Sequence, residues 1–194
     1  MWEEFDMEMD PAFLERDACR KAGKPVEIAR TKRTVIRESV LSDVEALYRI
    51  GRLPQISPRV QPMQPTLKEE REFMEAYIGH AYLFYDYGLW TILHKESGQI
   101  IGRAGLMPSE ILEDAVELGY MITPEYQKQG FAYECGNAIL NYAHDILDLA
   151  EIHLLAEPCN EASVKTAEKL GFLRTEVLYQ MDRELLHYIW RIDE

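Results

Sequence analysis

Glu117-Leu-Gly-Tyr-Met-Ile-Thr-Pro-Glu-Tyr-Gln-Lys-Gln-Gly-Phe-Ala-Tyr-Glu134 runs, in order, through a strand, a proline turn, a glycine-containing loop and the start of a helix. The β-rich run Val116 to Ile122 is halted by Thr123-Pro124, after which Ala132, Cys135, Ile139, Leu140 and Ala143 recur at helical spacing until a break near Asp148. This order builds an anion site. A helix N-terminus presents unpaired N–H groups and roughly half a positive charge, and a glycine, here Gly130, lets the main chain approach a phosphate closely. By spacing alone the same segment also reads as a plain loop entering a helix. One glycine is weaker than the three of a dinucleotide fingerprint or the lysine of a P-loop.

Upstream, Leu89 to His94 and Gln99 to Leu106 are β-rich and separated by Lys95-Glu96-Ser97-Gly98, a hairpin signal. Thr66 with Glu69 makes a capping box, so a helix should follow, with Phe73, Ala76 and Tyr77 on its apolar face. Leu53 to Pro65 carries four prolines and reads as an irregular loop. Before it, Thr34 to Glu38 reads as a short strand and Ser42 as the cap of a helix through Val44, Leu47 and Tyr48. Within residues 1 to 30 a helix is expected from Asp10-Pro11 to the stop at Gly23-Lys24-Pro25. Downstream, Ile152 to Ala156 is strand, Asn160 to Leu170 is helix ended by Gly171, and Phe172 to Tyr179 and His187 to Ile192 are closing strands. Strands thus flank helices on a mixed sheet.

The 194 residues carry a formal charge of −13 and three cysteines, Cys19, Cys135 and Cys159. That length supports one compact domain with a proper core. No run of about 18 apolar residues occurs, and the acidic start Met1-Trp2-Glu3-Glu4-Phe5-Asp6 is unlike a signal peptide, so no membrane association and a cytoplasmic location are expected. An odd number of scattered cysteines argues against a disulfide framework, and no metal is expected, because His80, His94, His144, His153 and His187 show no ligand spacing. The acidity disfavours general nucleic-acid binding and favours a cationic acceptor, although it equally serves solubility.

Two ordered motifs carry a family resemblance. Gln127-Lys-Gln-Gly130-Phe-Ala132 resembles the Gln/Arg-x-x-Gly-x-Gly/Ala coenzyme A motif of the GNAT superfamily, with Ala132 a permitted variant. Glu157-Pro-Cys-Asn160-Glu-Ala-Ser163-Val-Lys-Thr-Ala-Glu-Lys169-Leu-Gly171-Phe172 resembles the second motif of the subgroup that acetylates the N-termini of ribosomal proteins, together with its antibiotic- and metabolite-modifying relatives. The resemblance covers roughly Thr34 to Ile192. It implies a GNAT domain over 34–194 behind an N-terminal helical appendage, 1–33. The implied fold is α/β (α+β), a central mixed, mostly antiparallel, splayed sheet of about six to seven strands flanked by about four helices.

The same resemblance implies acetyl-CoA as co-substrate and the N-acetylation of a primary amine, on a peptide or protein N-terminus or a small molecule, by direct attack in a ternary complex. The alternative is a catalytically idle fold that binds an acyl-CoA as a sensor or interaction protein. By position, Gln127 would open the loop in which the N–H groups of Lys128, Gln129, Gly130, Phe131, Ala132 and Tyr133 hold the pyrophosphate. Met121 and Ile122 would pair with pantetheine, and the N–H of Tyr120 or Met121 would meet the thioester oxygen. Glu117 is the candidate base, as against a solvated strand glutamate or one that holds a cationic acceptor. Ser163 is the candidate donor to the leaving thiolate and Asn160 would contact the pantetheine amide or a bound water, although both also suit a helix start. Tyr179 is a reserve acid, and Cys159 suggests a covalent route that fits the family less well than direct attack. Trp90, Tyr82, Tyr85, Tyr87 and Arg103 are candidates for the acceptor pocket, and the aromatic run Tyr77 to Tyr87 reads equally as core or as the contact of a homodimer.

Overall fold

A computed structural model describes residues 11–192 of the chain. The helix α1 spans Pro11–Lys21, and Asp10 of the expected helix start, like the acidic segment 1–6, lies outside the described residues. Eight strands form one sheet in the order β1-β2-β3-β4-β5-β6-β8-β7. They are β1 (Glu27–Arg30), β2 (Thr34–Arg37), β3 (Leu89–His94), β4 (Ile100–Pro108), β5 (Val116–Ile122), β6 (Glu151–Ala156), β7 (Leu173–Gln180) and β8 (Arg183–Arg191). The other helices are α2 (Val44–Gly51), α3 (Leu67–Phe84), α4 (Phe131–Asp145) and α5 (Glu161–Lys169).

The strand beyond the expected count is β1. It pairs antiparallel with β2, so the sheet begins ahead of position 34. With four residues, of which only Ile28 is a buried β-branched side chain, β1 has no readable period. Its pairing partner creates it. The start of β8 also precedes the expectation, because Arg183 and Glu184 are charged but sit in a tight hairpin whose turn residues, Met181 and Asp182, both have positive φ, 45° and 65°.

The helix caps divide between confirmation and correction. Thr66 accepts from the Glu69 N–H at 3.2 Å while Glu69 accepts from the Thr66 N–H at 3.0 Å, the expected reciprocal cap of α3. Ser42, by contrast, lies inside a 3-10 turn, Leu41–Asp43, and caps nothing. Asp43 organises that turn instead. Its buried carboxylate accepts from the Val40 N–H at 3.0 Å, the Thr91 hydroxyl at 2.9 Å and both terminal nitrogens of Arg37 at 2.6 and 2.8 Å.

Two packed faces follow from the strand alternation. Phe131, Cys135, Ile139 and Ala143 of α4 cover one face, against Leu106, Leu118 and Ile122. Leu47 and Ile50 of α2, with Ile56 from the following loop, cover Met121 on the other. Helix α1 is tied on by charge, since Arg20 meets Glu38 at 2.6 Å and Asp86 at 2.8 Å, and Arg16 also pairs with Asp86. Among neighbouring strands only β5 and β6 run parallel, a pairing that the crossover through α4 permits.

Candidate functional site

The parallel pair is where the sheet opens. β5 and β6 share a single register pair, Glu117↔His153, and beyond it Leu118 to Ile122 has no partner on the β6 side. Which peptides face this gap follows from the pairing with β4. The Thr123 N–H donates to the Ile101 carbonyl at 2.8 Å, and the register runs unbroken from Gly102↔Ile122 to Pro108↔Val116. Antiparallel pairing alternates, so the peptides of 117, 119, 121 and 123 point at β4 and those of 118, 120 and 122 point at the gap. The Ile122 carbonyl there accepts from the Gln127 side-chain amide at 2.8 Å. Tyr120 and the Ile122 N–H remain as main-chain groups on an open edge.

The loop that follows is shaped for main-chain donors. Pro124–Tyr126 forms a 3-10 turn, and Lys128 and Gly130 then take left-handed conformations with φ of 58° and 83°. Alternating handedness turns successive N–H groups inward as an anion-binding nest. Gly130 is also the N-cap of α4 and supplies no side-chain cap, so no capping oxygen covers the first-turn N–H groups. Gln129 steadies the loop by donating to the Glu125 carbonyl at 2.7 Å.

Arg33, which sequence reasoning passed over, clamps this loop from 96 residues away. Its guanidinium donates to the Gln129 carbonyl at 3.0 Å, lies 3.9 Å above the Phe131 ring and pairs with Glu134 at 2.7 Å. Glu134 also accepts from the Thr31 hydroxyl at 2.6 Å and the Arg33 N–H at 2.8 Å. Burial would raise the Glu134 carboxyl, but these bonds from Thr31 and Arg33 outweigh it and hold the group below the usual carboxylate range.

Across the gap, α5 opens with Asn160, whose side-chain oxygen accepts weakly from the Ser163 N–H at 3.4 Å. The hydroxyls of Ser163 and Tyr120 lie 3.1 Å apart, so Tyr120 brings a side chain as well as a peptide to this place. Burial pushes the Tyr120 phenol up, against opposing hydrogen bonds to Ser163 and Thr166, so it stays protonated at neutral pH. Glu117 is half-buried on β5. Burial raises its carboxyl above the usual value, a Ser109 hydrogen bond opposes the shift and the nearby charge of Glu110 adds to it.

One cavity of about 990 Å³ joins these parts, touching Gly130, Ala132, Tyr120, Ser163, Glu117 and Arg103. It lies at the upper end of the range of small-ligand sites. The cavity also reaches Gln127, Lys128, Phe131, Tyr133, Met121, Ile122 and Asn160, but Gln129 does not border it. The proline-rich segment supplies a further wall through Ile56, Arg59 and Pro62.

Of the acceptor-pocket candidates only Arg103 borders this space. Trp90 and Tyr82 are core residues, 0% and 1% exposed, and Tyr85 and Tyr87 lie elsewhere. Tyr179 is 75% exposed on the edge strand β7 and does not border the cavity. Cys159 lines the rim as an exposed thiol, its sulfur 3.5 Å from Glu157. Among the described residues no group of three or more His, Cys, Asp or Glu side chains could hold a metal, and no helix is long and apolar enough to cross a membrane.

Residues 33–173 match the Acetyltransferase (GNAT) domain family. The YkkB protein of Bacillus subtilis is 29% identical over 105 residues, covering 54% of this chain and 61% of that protein. The spermidine N(1)-acetyltransferase of Escherichia coli strain K12 is 27% identical over 90 residues, 46% of this chain and 45% of the enzyme. The first curated relatives are matched over only 61%, 51% and 58% of their own length. The crystal structure of the ribosomal-protein-S5-alanine acetyltransferase of Vibrio fischeri superposes with a TM-score of 0.70 at 18% identity, covering 87% of this chain and 98% of the other. At that identity the likeness bears on the fold alone.

Proposed function

The chain belongs to the GNAT acetyltransferase family, and on that premise we propose that it transfers an acetyl group from acetyl-CoA to a primary amine by direct attack within a ternary complex. The observation that carries this reading is the coincidence of two features: a β-strand edge left open from Leu118 onward, and an uncapped helix N-terminus at its end. A strand edge offers hydrogen bonds to an extended amide-bearing arm, and a nest of N–H groups offers them to phosphates. Acetyl-CoA carries both, and supplies the activated acyl group.

In this reading the N–H groups from Lys128 through Tyr133 bind the pyrophosphate. Gln127 braces the Ile122 carbonyl, and Asn160 contacts the arm from the α5 side. The pairing with β4 favours Tyr120 over Met121 as the donor to the thioester oxygen, because the Met121 peptide is turned towards β4. Such a donor, aimed where negative charge develops, typically contributes ~3 kcal/mol.

An amine with a pKa near about 10.4 is almost wholly protonated at neutral pH and must lose a proton to react. Glu117 accepts it, directly or through water, and its raised pKa brings the carboxylate closer to the pH at which it works. The amine nitrogen bonds to the acetyl carbon, the carbon–sulfur bond breaks, and the sulfur takes a proton from Ser163. Tyr120, held protonated 3.1 Å away, replenishes it and regains a proton from solvent, which also takes up the proton held by Glu117, as the products leave.

The test is a thiol-release assay across peptides with free N-termini, polyamines, amino acids and aminoglycosides, beside calorimetry with acetyl-CoA. The expected result is amine-dependent thiol release that falls on Glu117→Ala and Ser163→Ala. Tight binding without turnover, unchanged in both variants, would favour an idle acyl-CoA-binding protein instead. Absence of binding would end the proposal.

A further inference from the structure

Arg103 sits on β4 opposite Met121 on one side and Thr91 on the other, so its side chain shares the face covered by α2 and its following loop. Glu117 is on the same face, four positions before Met121 on the neighbouring strand, and both side chains border the cavity. The strand position next to Met121 is Tyr120, whose peptide faces the gap. Arg103 and Glu117 therefore flank, from one side of the sheet, the point assigned above to the reacting thioester.

What sets Arg103 apart is its lack of a partner among the arginines that line the cavity, since Arg59 donates to the Gln55 carbonyl at 2.8 Å and Arg183 pairs with Glu157 at 2.5 Å. Among the described residues Arg16, Arg20, Arg33 and Arg37 are all held by carboxylates at the surface of the core. Among the same residues Arg103 makes no ion pair within 4 Å and no hydrogen bond to a protein acceptor. The groups that act on it from nearby are the Tyr77 and Tyr82 hydroxyls and the Glu70 carboxylate. Each is engaged elsewhere: Tyr77 accepts from the Leu89 N–H at 2.7 Å, Tyr82 donates to the Leu89 carbonyl at 2.7 Å, and Glu70 accepts from the Gln64 N–H at 2.8 Å.

Burial lowers the Arg103 pKa, yet a guanidinium keeps its proton in any protein. Half-buried at the cavity wall and without a contact partner, the guanidinium turns to the cavity a planar fork of donors that matches the geometry of an oxyanion. On the acetyltransferase reading, we propose that Arg103 is a specificity-determining residue that seats an anionic group, carboxylate or phosphoryl, carried by the acceptor amine. The amine lies towards Glu117 and the anion against Arg103. A polyamine would instead set a second cation beside Arg103. The net charge of the whole chain is a poor guide here, because the acceptor end holds the Arg103 cation as well as the Glu117 carboxylate.

The experiment compares initial rates at saturating acetyl-CoA for the proteinogenic amino acids against their decarboxylated amines. β-Alanine is set against O-phosphoethanolamine to separate the carboxylate source from the phosphoryl one, and spermidine is included as the cationic case. The expected result is a kcat/KM at least about 10-fold higher for the anion-bearing member of the favoured pair, the scale of one well-placed charged hydrogen bond. Arg103→Met should collapse that ratio to near one through KM, and Arg103→Lys should keep part of it.

The wild-type ratio stands by itself if Arg103→Met fails to fold. Preference for decarboxylated amines or spermidine, no turnover of any anion-bearing amine, or a ratio that survives Arg103→Met would overturn the proposal while acetyl-CoA binding leaves the acetyltransferase reading intact. Failure to bind acetyl-CoA would remove both.

Discussion

Replacing Gly130 by alanine separates the conformational demand of the loop proposed to bind phosphate from its packing. The residue sits at φ 83° and ψ 8°, and a Cβ added there would meet only the Arg33 Nη2 at 3.7 Å, an ordinary contact. The substitution therefore introduces strain without a clash. A non-glycine residue in the left-handed region costs about 1–2 kcal/mol. In a domain of this size that lowers Tm by about 2–4 °C for each kcal/mol. Relief of the strain rotates the peptides around position 130 and re-aims the N–H groups that follow.

Loss of even one hydrogen bond to a charged phosphate costs about 1.5–3 kcal/mol, or about 10- to 100-fold in Kd. Gly98 is the control, since it also lies in the left-handed region, φ 66°, with nothing within 4 Å of an added Cβ, but in the β3–β4 hairpin. Gly98→Ala should reproduce the loss of Tm without the loss of acetyl-CoA affinity. Gly130→Asn, which tolerates this conformation better, should fall between wild type and alanine. Calorimetric titration with acetyl-CoA, paired with thermal melts, reads all three. Unchanged affinity in Gly130→Ala, or an equal loss in Gly98→Ala, would refute the assignment of this loop.

Three further outcomes follow from buried charges. With Glu117 as the base proposed above, the acidic limb of kcat/KM against pH should lie above the ordinary carboxylate range, because burial resists the ionisation that a base requires; Glu117→Gln should remove the limb and lower the rate by about 10²–10⁴-fold. The folded pKa of Glu134 is depressed, so its contribution to stability is present above about pH 4.3 and lost as pH falls through the lower folded value. Arg33→Ala should therefore destabilise the protein at neutral pH more than at pH 3 in urea titrations. Arg20→Met should cost about 3–5 kcal/mol in the same titrations, since it strands the Glu38 carboxylate, 4% exposed, without its cation, whereas Arg20→Met with Glu38→Gln should recover part of the loss.

The loop and its helix were legible because their signals are local. Thr123-Pro124 must stop a strand, a lone glycine ahead of an apolar helical period marks the helix entry, and Thr66 with Glu69 makes a reciprocal cap from side chains three residues apart. The unread features depend on partners distant in sequence. Glu27–Arg30 becomes a strand only because β2 lies beside it, and Arg33 reaches Gln129 and Glu134 only after the sheet has formed. The choice between Tyr120 and Met121 needed the phase of the β4 pairing, which no run of residues displays. Trp90 and Arg103 looked equally suited to a pocket by residue type, yet strand alternation sends one into the core and the other to the cavity.

The most direct measurement is a crystal structure grown with coenzyme A. Phosphate oxygens should lie within about 3.2 Å of main-chain nitrogens between Lys128 and Tyr133, with the pantetheine arm running along Tyr120 and Ile122 in the gap beside β6. Coenzyme A bound at any other face, or β5 and β6 zipped together past Glu117 and His153 with no ligand between them, would contradict the account.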